Sequence, residues 1–180
     1  MPNDIPRVSA ILKLLFPHAL DFVDESALLR GARLHFAMEC YVNDRLYGFP
    51  PTIIPEIQPM VDWLEREEVE FEAAEARVEH PTYRYCGHED LQGRWRGTPC
   101  VFDYKFAESI STQNLVQLEA YRQVHTPKRQ TVLLQCPRDG RVRPQIIKPH
   151  AAHWAIFLSA LNVWHFHRAQ HPKEVQSHVK

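Results

Sequence analysis

Apolar residues recur along the chain at two different spacings, and the spacing changes near residue 70. Before that point they return every three to four residues, which is the period of a helix with one buried face. After it, short segments rich in β-branched and aromatic residues alternate with one further helical stretch, and a last helical stretch closes the chain. The predicted helices are residues 5–16, 24–45, 56–67, 112–125 and 150–170, and the predicted strands are residues 70–79, 82–91, 99–106, 130–135 and 142–148.

Local signals between these elements predict where the chain turns. Residues 92–98 contain glycine and are predicted to form a hairpin loop, and Pro-Arg-Asp-Gly at residues 137–140 is typical of a turn. Ser9 is predicted to cap the first helix. The order of helices and strands predicts an α/β fold in which helices flank a mixed central sheet. Without an internal repeat or a linker, residues 1–180 are predicted to form a single domain.

Composition limits the class of protein. A chain of 180 residues with 44% apolar content is large enough to bury a hydrophobic core. No apolar run approaches the roughly 20 residues that cross a bilayer, and the opening residues do not resemble an export signal. The four cysteines are far apart, which favours free thiols in a reducing compartment. We therefore expect a cytoplasmic protein that does not bind membranes.

Charge is nearly balanced overall but unevenly distributed. The net charge of -1 and the isoelectric point of about 6.8 are not typical of a nucleic-acid-binding protein. Acidic residues dominate positions 56–79, whereas basic residues dominate from Lys128 onward. A locally basic surface is therefore compatible with the neutral total.

The segment Val-Phe-Asp-Tyr-Lys at residues 101–105 places two charged residues in a strand of strong β formers. Because alternate side chains of a strand share a face, Asp103 and Lys105 are expected to project together, while Phe102, Tyr104 and Phe106 face the core. Burying such charges is costly unless they pair or bind a metal. The alternative is an ordinary ion pair on a solvent-facing strand.

Asp90 lies at the end of the preceding predicted strand, so antiparallel pairing across the hairpin would bring its carboxylate to the same patch. Cleavage of a phosphodiester bond requires hard oxygen ligands for a divalent cation and a positive charge that offsets the charge developing in the transition state. Asp90 and Asp103 with Lys105 supply these groups.

Four other residues are candidates for the same site. Gln117 and Tyr121 lie one helical turn apart and could direct an amide and a hydroxyl at a phosphate or a water. Alternatively, Tyr121 packs in the core. Glu75 could add a metal ligand, although it belongs to a glutamate-rich run that favours a solvated face. His35 could ligate a metal or contact a phosphate, although a lone histidine on an apolar helix is more often structural.

Taken in order, these motifs resemble a known family. Gly-x-x-Asp at residues 87–90, a hairpin, Asp-x-Lys at 103–105 and Gln-x-x-x-Tyr at 117–121 resemble the RecB-type exonuclease branch of the PD-(D/E)XK nuclease superfamily. Residues 6–12 and 30–39 are similar to the opening of phage-type single-domain exonucleases of that branch. The resemblance covers roughly residues 6–145. The chain departs from the family at Phe106, where threonine is frequent, and at Glu89, where an apolar residue is usual.

The resemblance implies a restriction-endonuclease-like core of three layers and a nuclease that uses Mg²⁺ or Mn²⁺. DNA, as an end or a single strand, would be its substrate in recombination, repair or end processing in a bacterial or phage-infected cell. A homo-oligomer or a recombination partner protein would be compatible with this role. In the implied site Asp90 and Asp103 bind the metal, Lys105 assists the attacking water, Glu75 and His35 complete the ligands, and Gln117 and Tyr121 support them from the helix.

Two other interpretations remain open from the residues. The first is a PD-(D/E)XK fold kept as a DNA-binding or assembly module with little catalysis, against which the intact set of acids and lysine argues. The second is a zinc site built from Cys86, His88 or the pair His165 and His167. These residues are suitable zinc ligands, but their spacing does not converge.

Overall fold

A computed structural model describes residues 5–18, 24–45 and 50–170. Within these residues the chain forms five helices and five strands. The helices are α1 (Val8–Leu15), α2 (Glu25–Val42), α3 (Ile54–Arg66), α4 (Thr112–Val124) and α5 (Ala151–Gln170), and the strands are β1 (Glu70–Glu79), β2 (Cys86–Trp95), β3 (Thr98–Lys105), β4 (Gln130–Gln135) and β5 (Arg143–Ile147).

The five strands form one mixed sheet in the order β1-β2-β3-β4-β5. The first three strands are antiparallel, β3 and β4 are parallel, and β5 returns antiparallel to β4. Parallel neighbours need a crossover connection, and α4 provides it between β3 and β4. The predicted mixed α/β sheet is therefore confirmed.

Two apolar cores hold helices against the sheet. One core is shared by the sheet with α2 and α3, and the other joins α1, α4 and α5 to β1 and the residues before β2. Buried members of the first include Met38, Met60, Leu64, Phe102 and Leu134, and those of the second include Ile11, Tyr85, Val116, Ala120 and Phe157. The sheet thus lies between helical layers, as the predicted fold class requires.

The predicted position of β2 was wrong at both of its ends. The strand was expected over residues 82–91, followed by a loop over 92–98, but it begins at Cys86 and continues to Trp95. Gly93 is a strand residue. Glycine is required at this position because an added Cβ would collide with the carbonyl oxygen of Glu70 on β1. The connection is only Arg96 and Gly97, both with positive φ, as in the tight turns of twisted hairpins.

The predicted helices are confirmed, with small changes at their ends. Ser9 is not the cap of α1, because the helix begins at Val8 and Arg7 is the capping residue. Asp24 caps α2 by accepting a hydrogen bond from the backbone N–H of Ser26. No helix among the described residues is long and apolar enough to cross a membrane. The cysteines are buried free thiols, as expected.

Candidate active site

The site lies where strands β2 and β3 stop pairing. Their register runs from the hairpin turn to Leu91 opposite Phe102, and one further step would place Asp90 opposite Asp103. Instead, the Asp90 carboxylate accepts a hydrogen bond from the backbone N–H of Tyr104, at 2.7 Å. The two aspartates therefore flank the point where the strands diverge, and their charges interact.

Asp103 and Lys105 form a buried ion pair on β3. Oδ2 of Asp103 lies 2.6 Å from Nζ of Lys105, and Asp103 is only 2% exposed. As the alternation predicts, the neighbouring Phe102 and Tyr104 are buried in the first core, and Phe106 is partly buried against it. The interpretation of this pair as an exposed strand feature is therefore wrong.

The ion pair only partly offsets the cost of burying the Asp103 carboxylate. Burial raises the pKa of Asp103, and the attraction of Lys105 does not fully offset it because Asp90 acts in the same direction as burial. Burial alone would lower the pKa of Lys105, but Asp103 and Asp90 raise it above its usual value.

Three side chains from different elements converge beside this pair. Ligand atoms of His35 on α2, Glu75 on β1 and Asp90 on β2 all lie within 4.8 Å of one another. Nδ1 of His35 is 3.2 Å from Oδ2 of Asp90. Two carboxylates and an imidazole within this distance could together ligate a divalent cation.

His35 is fixed by packing as well as by charge. Its ring lies 6.2 Å from the ring of Tyr104 and 5.7 Å, edge on, from the ring of Phe106. Burial would lower the pKa of His35, but the charge and hydrogen bond of Asp90 outweigh it and raise that pKa. Burial would raise the pKa of Asp90, yet the same contact and the nearby Lys105 lower it.

Glu75 reaches the site through an unusual backbone conformation. The pairing of β1 with β2 places it level with Asp90, and its φ is 48°. A residue with a Cβ is uncommon at positive φ, and the cost is of order 1–3 kcal/mol. Burial, followed by the charge of Asp90, raises the pKa of the Glu75 carboxyl. A cation bound among these acids would relieve that repulsion.

Helix α4 packs against the site through Tyr121. The Gln117 amide donates to the Tyr121 hydroxyl at 3.4 Å, and the tyrosine ring belongs to the second core. A Cβ added to Gly87 would lie 2.5 Å from Cε1 of Tyr121, so glycine is required for this close approach. The Gly-x-x-Asp and Gln-x-x-x-Tyr motifs therefore contact each other, and Tyr121 is both a core residue and a neighbour of the acidic site.

These residues fit a divalent metal ion. The buried carboxylate of Asp103, whose pKa is raised by burial and by the charge of Asp90, lies beside the group formed by His35, Glu75 and Asp90. A cation could be held by the triad and neutralise both aspartates. Within residues 5–18, 24–45 and 50–170, this is the group of histidine, cysteine and acidic side chains that meets the distance requirement for a metal. The zinc alternative is wrong, because Cys86, His88, His165 and His167 do not form such a group.

A second polar cluster beside the site was missed by sequence reasoning. Glu89 is fully buried, and both of its carboxylate oxygens contact Nε2 of His125, at 2.9 and 3.0 Å. Gln92 donates to the same carboxylate at 2.8 Å. The pair ties the end of α4 to the strand that carries Asp90. The sequence indicates this pair only through Glu89, which stands where the resembled family usually has an apolar residue. No spacing pattern points to His125, because it is 36 residues away.

Comparison with known proteins gives likeness of structure without likeness of sequence. No protein-family model matches the chain, and no curated protein matches its sequence. The crystal structure of an alkaline exonuclease from Laribacter hongkongensis superposes with a TM-score of 0.52 at 12% identity, covering 88% of this chain and 89% of that one. This chain has the same fold.

A second structure, a protein of Eubacterium rectale provisionally named an exonuclease, superposes with a TM-score of 0.52 at 11% identity. The match covers 92% of this chain and 81% of that chain. Both likenesses extend over most of each molecule, and the fold class predicted from the sequence is confirmed by them. At such low identity they establish the fold alone.

Proposed function

We propose that this chain is a metal-dependent nuclease of the RecB-type PD-(D/E)XK branch that hydrolyses phosphodiester bonds in DNA as an exonuclease. The observation that carries the proposal is the convergence of His35, Glu75 and Asp90 within 4.8 Å at the strand divergence, beside a buried Asp103–Lys105 pair. The fold shared with an alkaline exonuclease supports the same reading.

The ligands of the metal, Mg²⁺ or Mn²⁺, would be Asp90 and Asp103, with Glu75 and His35 completing the set. A divalent ion in such a site supplies Lewis-acid polarisation of the phosphate and lowers the pKa of water. Carboxylate oxygens are the ligands that Mg²⁺ prefers, and an imidazole is more readily accepted by Mn²⁺.

Lys105 provides the positive charge of the proposed site. Its pKa is raised by Asp103 and Asp90, so its ammonium group is protonated at neutral pH. In this state it can orient the attacking water and offset charge that develops on the phosphate. We assign Gln117 and Tyr121 as positioning residues, because Gln117 donates to the tyrosine hydroxyl and the tyrosine ring contacts the strand of Asp90.

The biological setting that we propose is DNA recombination, repair or end processing in a bacterial or phage-infected cell. Residues 1–180 would act as one nuclease domain, alone or as a homo-oligomer, with or without a recombination partner protein.

The test is incubation of linear and circular duplex DNA with the purified chain and Mg²⁺ or Mn²⁺. We expect loss of the linear form and survival of the closed circle. Asp103→Asn and Lys105→Ala should each reduce the rate by about 100-fold or more, the usual cost of removing one electrostatic group from a transition state. Asp139→Asn, at an exposed acid paired with Arg143, is the matched control and should be fully active.

Digestion that persists in Asp103→Asn and Lys105→Ala would contradict the assigned site. Binding of DNA with no cleavage under any metal condition would instead favour the non-catalytic DNA-binding or assembly module.

A further inference from the structure

The hydroxyl of Tyr104 is a buried polar group that has no hydrogen-bond partner in the described part of the chain. The residue is 1% exposed, and its ring belongs to the first core. A buried hydroxyl that is left unpaired destabilises the fold, whereas phenylalanine would fill the same space without that cost. Folding alone therefore does not explain why this position carries a hydroxyl.

The other three tyrosines in or against the two cores are hydrogen-bonded. Their partners are Glu65 for Tyr41, the backbone carbonyl of Ala120 for Tyr85, and Gln117 for Tyr121. In this molecule a tyrosine hydroxyl beside a core is thus normally paired. Tyr104 departs from that rule at the position between Asp103 and Lys105.

Tyr104 lies beside the group formed by His35, Glu75 and Asp90. Its backbone N–H donates to the Asp90 carboxylate at 2.7 Å, and its ring lies 6.2 Å from the ring of His35. Because alternate side chains of a strand share a face, Tyr104 projects to the side of the sheet opposite to Asp103 and Lys105. It therefore approaches the metal ligands from the first core.

The charges that act most strongly on this hydroxyl are those of two carboxylates. Burial raises the pKa of Tyr104 well above its ordinary value, and the negative charges of Asp90 and then Glu75 act in the same direction. The phenol therefore keeps its proton at neutral pH. In that state it is a hydrogen-bond donor near the acids and not a phenolate that would bind the cation itself.

Glu75 lacks what Tyr104 could supply. Its carboxylate accepts no hydrogen bond from the described residues, and only burial and nearby charges act on it. A carboxylate that ligates a metal is normally held by a hydrogen bond from a surrounding group, which fixes its orientation. Asp90 already has such a donor in the backbone N–H of Tyr104. A donor without an acceptor and a carboxylate without a donor thus lie at the same metal group.

We propose that Tyr104 is a positioning residue of the metal centre, and that its hydroxyl donates a hydrogen bond to the Glu75 carboxylate when that carboxylate ligates the cation. The inference rests on the proposed metal-dependent nuclease. One residue of β3 then orients two ligands, because its backbone N–H holds Asp90 and its hydroxyl holds Glu75. The unpaired hydroxyl is a cost to the protein without metal that is recovered when the cation binds.

The test compares Tyr104→Phe with Tyr85→Phe, since each substitution removes one buried hydroxyl and keeps the ring. Calorimetric titration of the full chain with Mn²⁺ measures affinity, and urea denaturation in EDTA measures stability without metal. Tyr104→Phe should bind Mn²⁺ about 10-fold or more weakly, the usual effect of losing a hydrogen bond to a metal ligand. Its urea midpoint should equal or exceed that of the wild type, because no hydrogen bond of the metal-free protein is lost.

Tyr85→Phe should show the reverse pattern. Its Mn²⁺ affinity should match that of the wild type, whereas its urea midpoint should fall, because the hydrogen bond to the carbonyl oxygen of Ala120 is lost. The opposite signs separate a hydroxyl that serves the metal centre from one that serves the fold.

Cleavage gives a further readout that a purely structural role would not change. The Mn²⁺ concentration that gives half of the maximal rate should rise in Tyr104→Phe by about 10-fold or more, in parallel with the loss of affinity. The rate at saturating Mn²⁺ should stay near that of the wild type, because Asp103 and Lys105 are unchanged. Tyr85→Phe should leave both quantities as they are.

Equal Mn²⁺ affinity of the wild type and Tyr104→Phe would overturn the inference and leave the proposed function intact. A urea midpoint of metal-free Tyr104→Phe below that of the wild type would also overturn it, because the hydroxyl would then have a partner in the fold. A wild type that binds no Mn²⁺ would contradict the proposed function, and the inference with it.

Discussion

Two buried ion pairs in this molecule resemble each other in exposure and differ in almost every other respect. The side chains of Asp103 and Lys105 are 3% and 16% exposed, and those of Glu119 and Arg122 on α4 are 4% and 14% exposed. Both pairs are close enough for strong attraction. Burial therefore does not distinguish a candidate active site from structural support in this fold.

What distinguishes the pairs is how completely each carboxylate is satisfied. Glu119 accepts hydrogen bonds from the Arg122 guanidinium, the Gln123 amide and the backbone N–H of His150. Burial would raise the pKa of Glu119, but the bonds from Arg122 and Gln123 lower it. Asp103 has the opposite balance, because burial and the charge of Asp90 raise its pKa despite its contact with Lys105.

The difference indicates separate roles. A buried carboxylate whose oxygens all accept hydrogen bonds contributes to stability. A buried carboxylate whose charge is only partly compensated destabilises the fold, and a functional role can explain why it is retained. The Asp103 carboxylate lies beside Asp90 and the ligand group formed with His35 and Glu75, where a cation would complete it. Exchanging acid for amide at Asp103 and at Glu119 should therefore have opposite effects on activity and stability.

The largest expected effect is on cleavage by Asp103→Asn. We expect the rate to fall by about 100-fold or more, because one electrostatic group of the transition state is lost. The free energy of unfolding without metal should change little, because the substitution also removes repulsion between two buried carboxylates. Cleavage rates and urea denaturation measured on the same preparation check both parts. A strongly destabilised Asp103→Asn would show that the pair supports the fold rather than the chemistry.

Glu119→Gln should have the complementary effect. Its free energy of unfolding should fall by about 3 kcal/mol, since breaking a buried pair leaves Arg122 uncompensated. DNA cleavage at a temperature where the variant is folded should match that of the wild type. Urea denaturation followed by circular dichroism measures the loss. Wild-type stability would contradict the structural role of the Glu119 pair.

Gly87→Ala tests the contact that joins α4 to the site strand. The new Cβ would lie 2.5 Å from the ring of Tyr121, so the ring or the strand must move. Overpacking of this kind costs about 1–3 kcal/mol. Cleavage should also fall, because Tyr121 and Asp90 no longer keep their relative positions. Gly31→Ala, where an added Cβ meets nothing within 4 Å, is the control for the loss of a glycine.

The smallest expected effect is a dependence of stability on pH. Because the folded pKa of Glu119 lies below its ordinary value of 4.5, its contribution is complete above pH 4.5 and is lost as the pH falls through the folded pKa. Wild-type stability should therefore decrease in this acidic range more steeply than that of Glu119→Gln. Thermal unfolding measured from about pH 3 to about pH 6 gives both slopes. Parallel slopes would show that Glu119 titrates normally.

Much of the fold followed from local pattern. The helical period of residues 24–45 and the strand run at 99–106 each predicted one element, because their apolar faces match a single secondary structure. The predicted position of the hairpin turn is wrong because the sequence pattern assigns Gly93 to a loop, whereas Gly93 lies in β2. Glycine at position 93 allows the backbone of β1 to approach β2 closely. This is a tertiary contact, and the local sequence contains no signal for it.

The candidate site was predictable only in part. Alternation along β3 was sufficient to place Asp103 and Lys105 together, and the order of motifs suggested His35, Glu75 and Asp90. Neither the alternation nor the order of motifs predicts that β2 diverges from β3, or that Glu75 has a positive φ. The Glu89–His125 pair depends on how α4 packs and is not encoded by spacing.

The most direct measurement of the central claim is a calorimetric titration of the chain with Mn²⁺. The account predicts saturable binding to the wild type and to Glu119→Gln, with binding lost or strongly weakened in Asp90→Asn and Glu75→Gln. If Asp90→Asn binds Mn²⁺ as the wild type does, or if the wild type binds none, the site formed by His35, Glu75, Asp90 and Asp103 is not a metal centre.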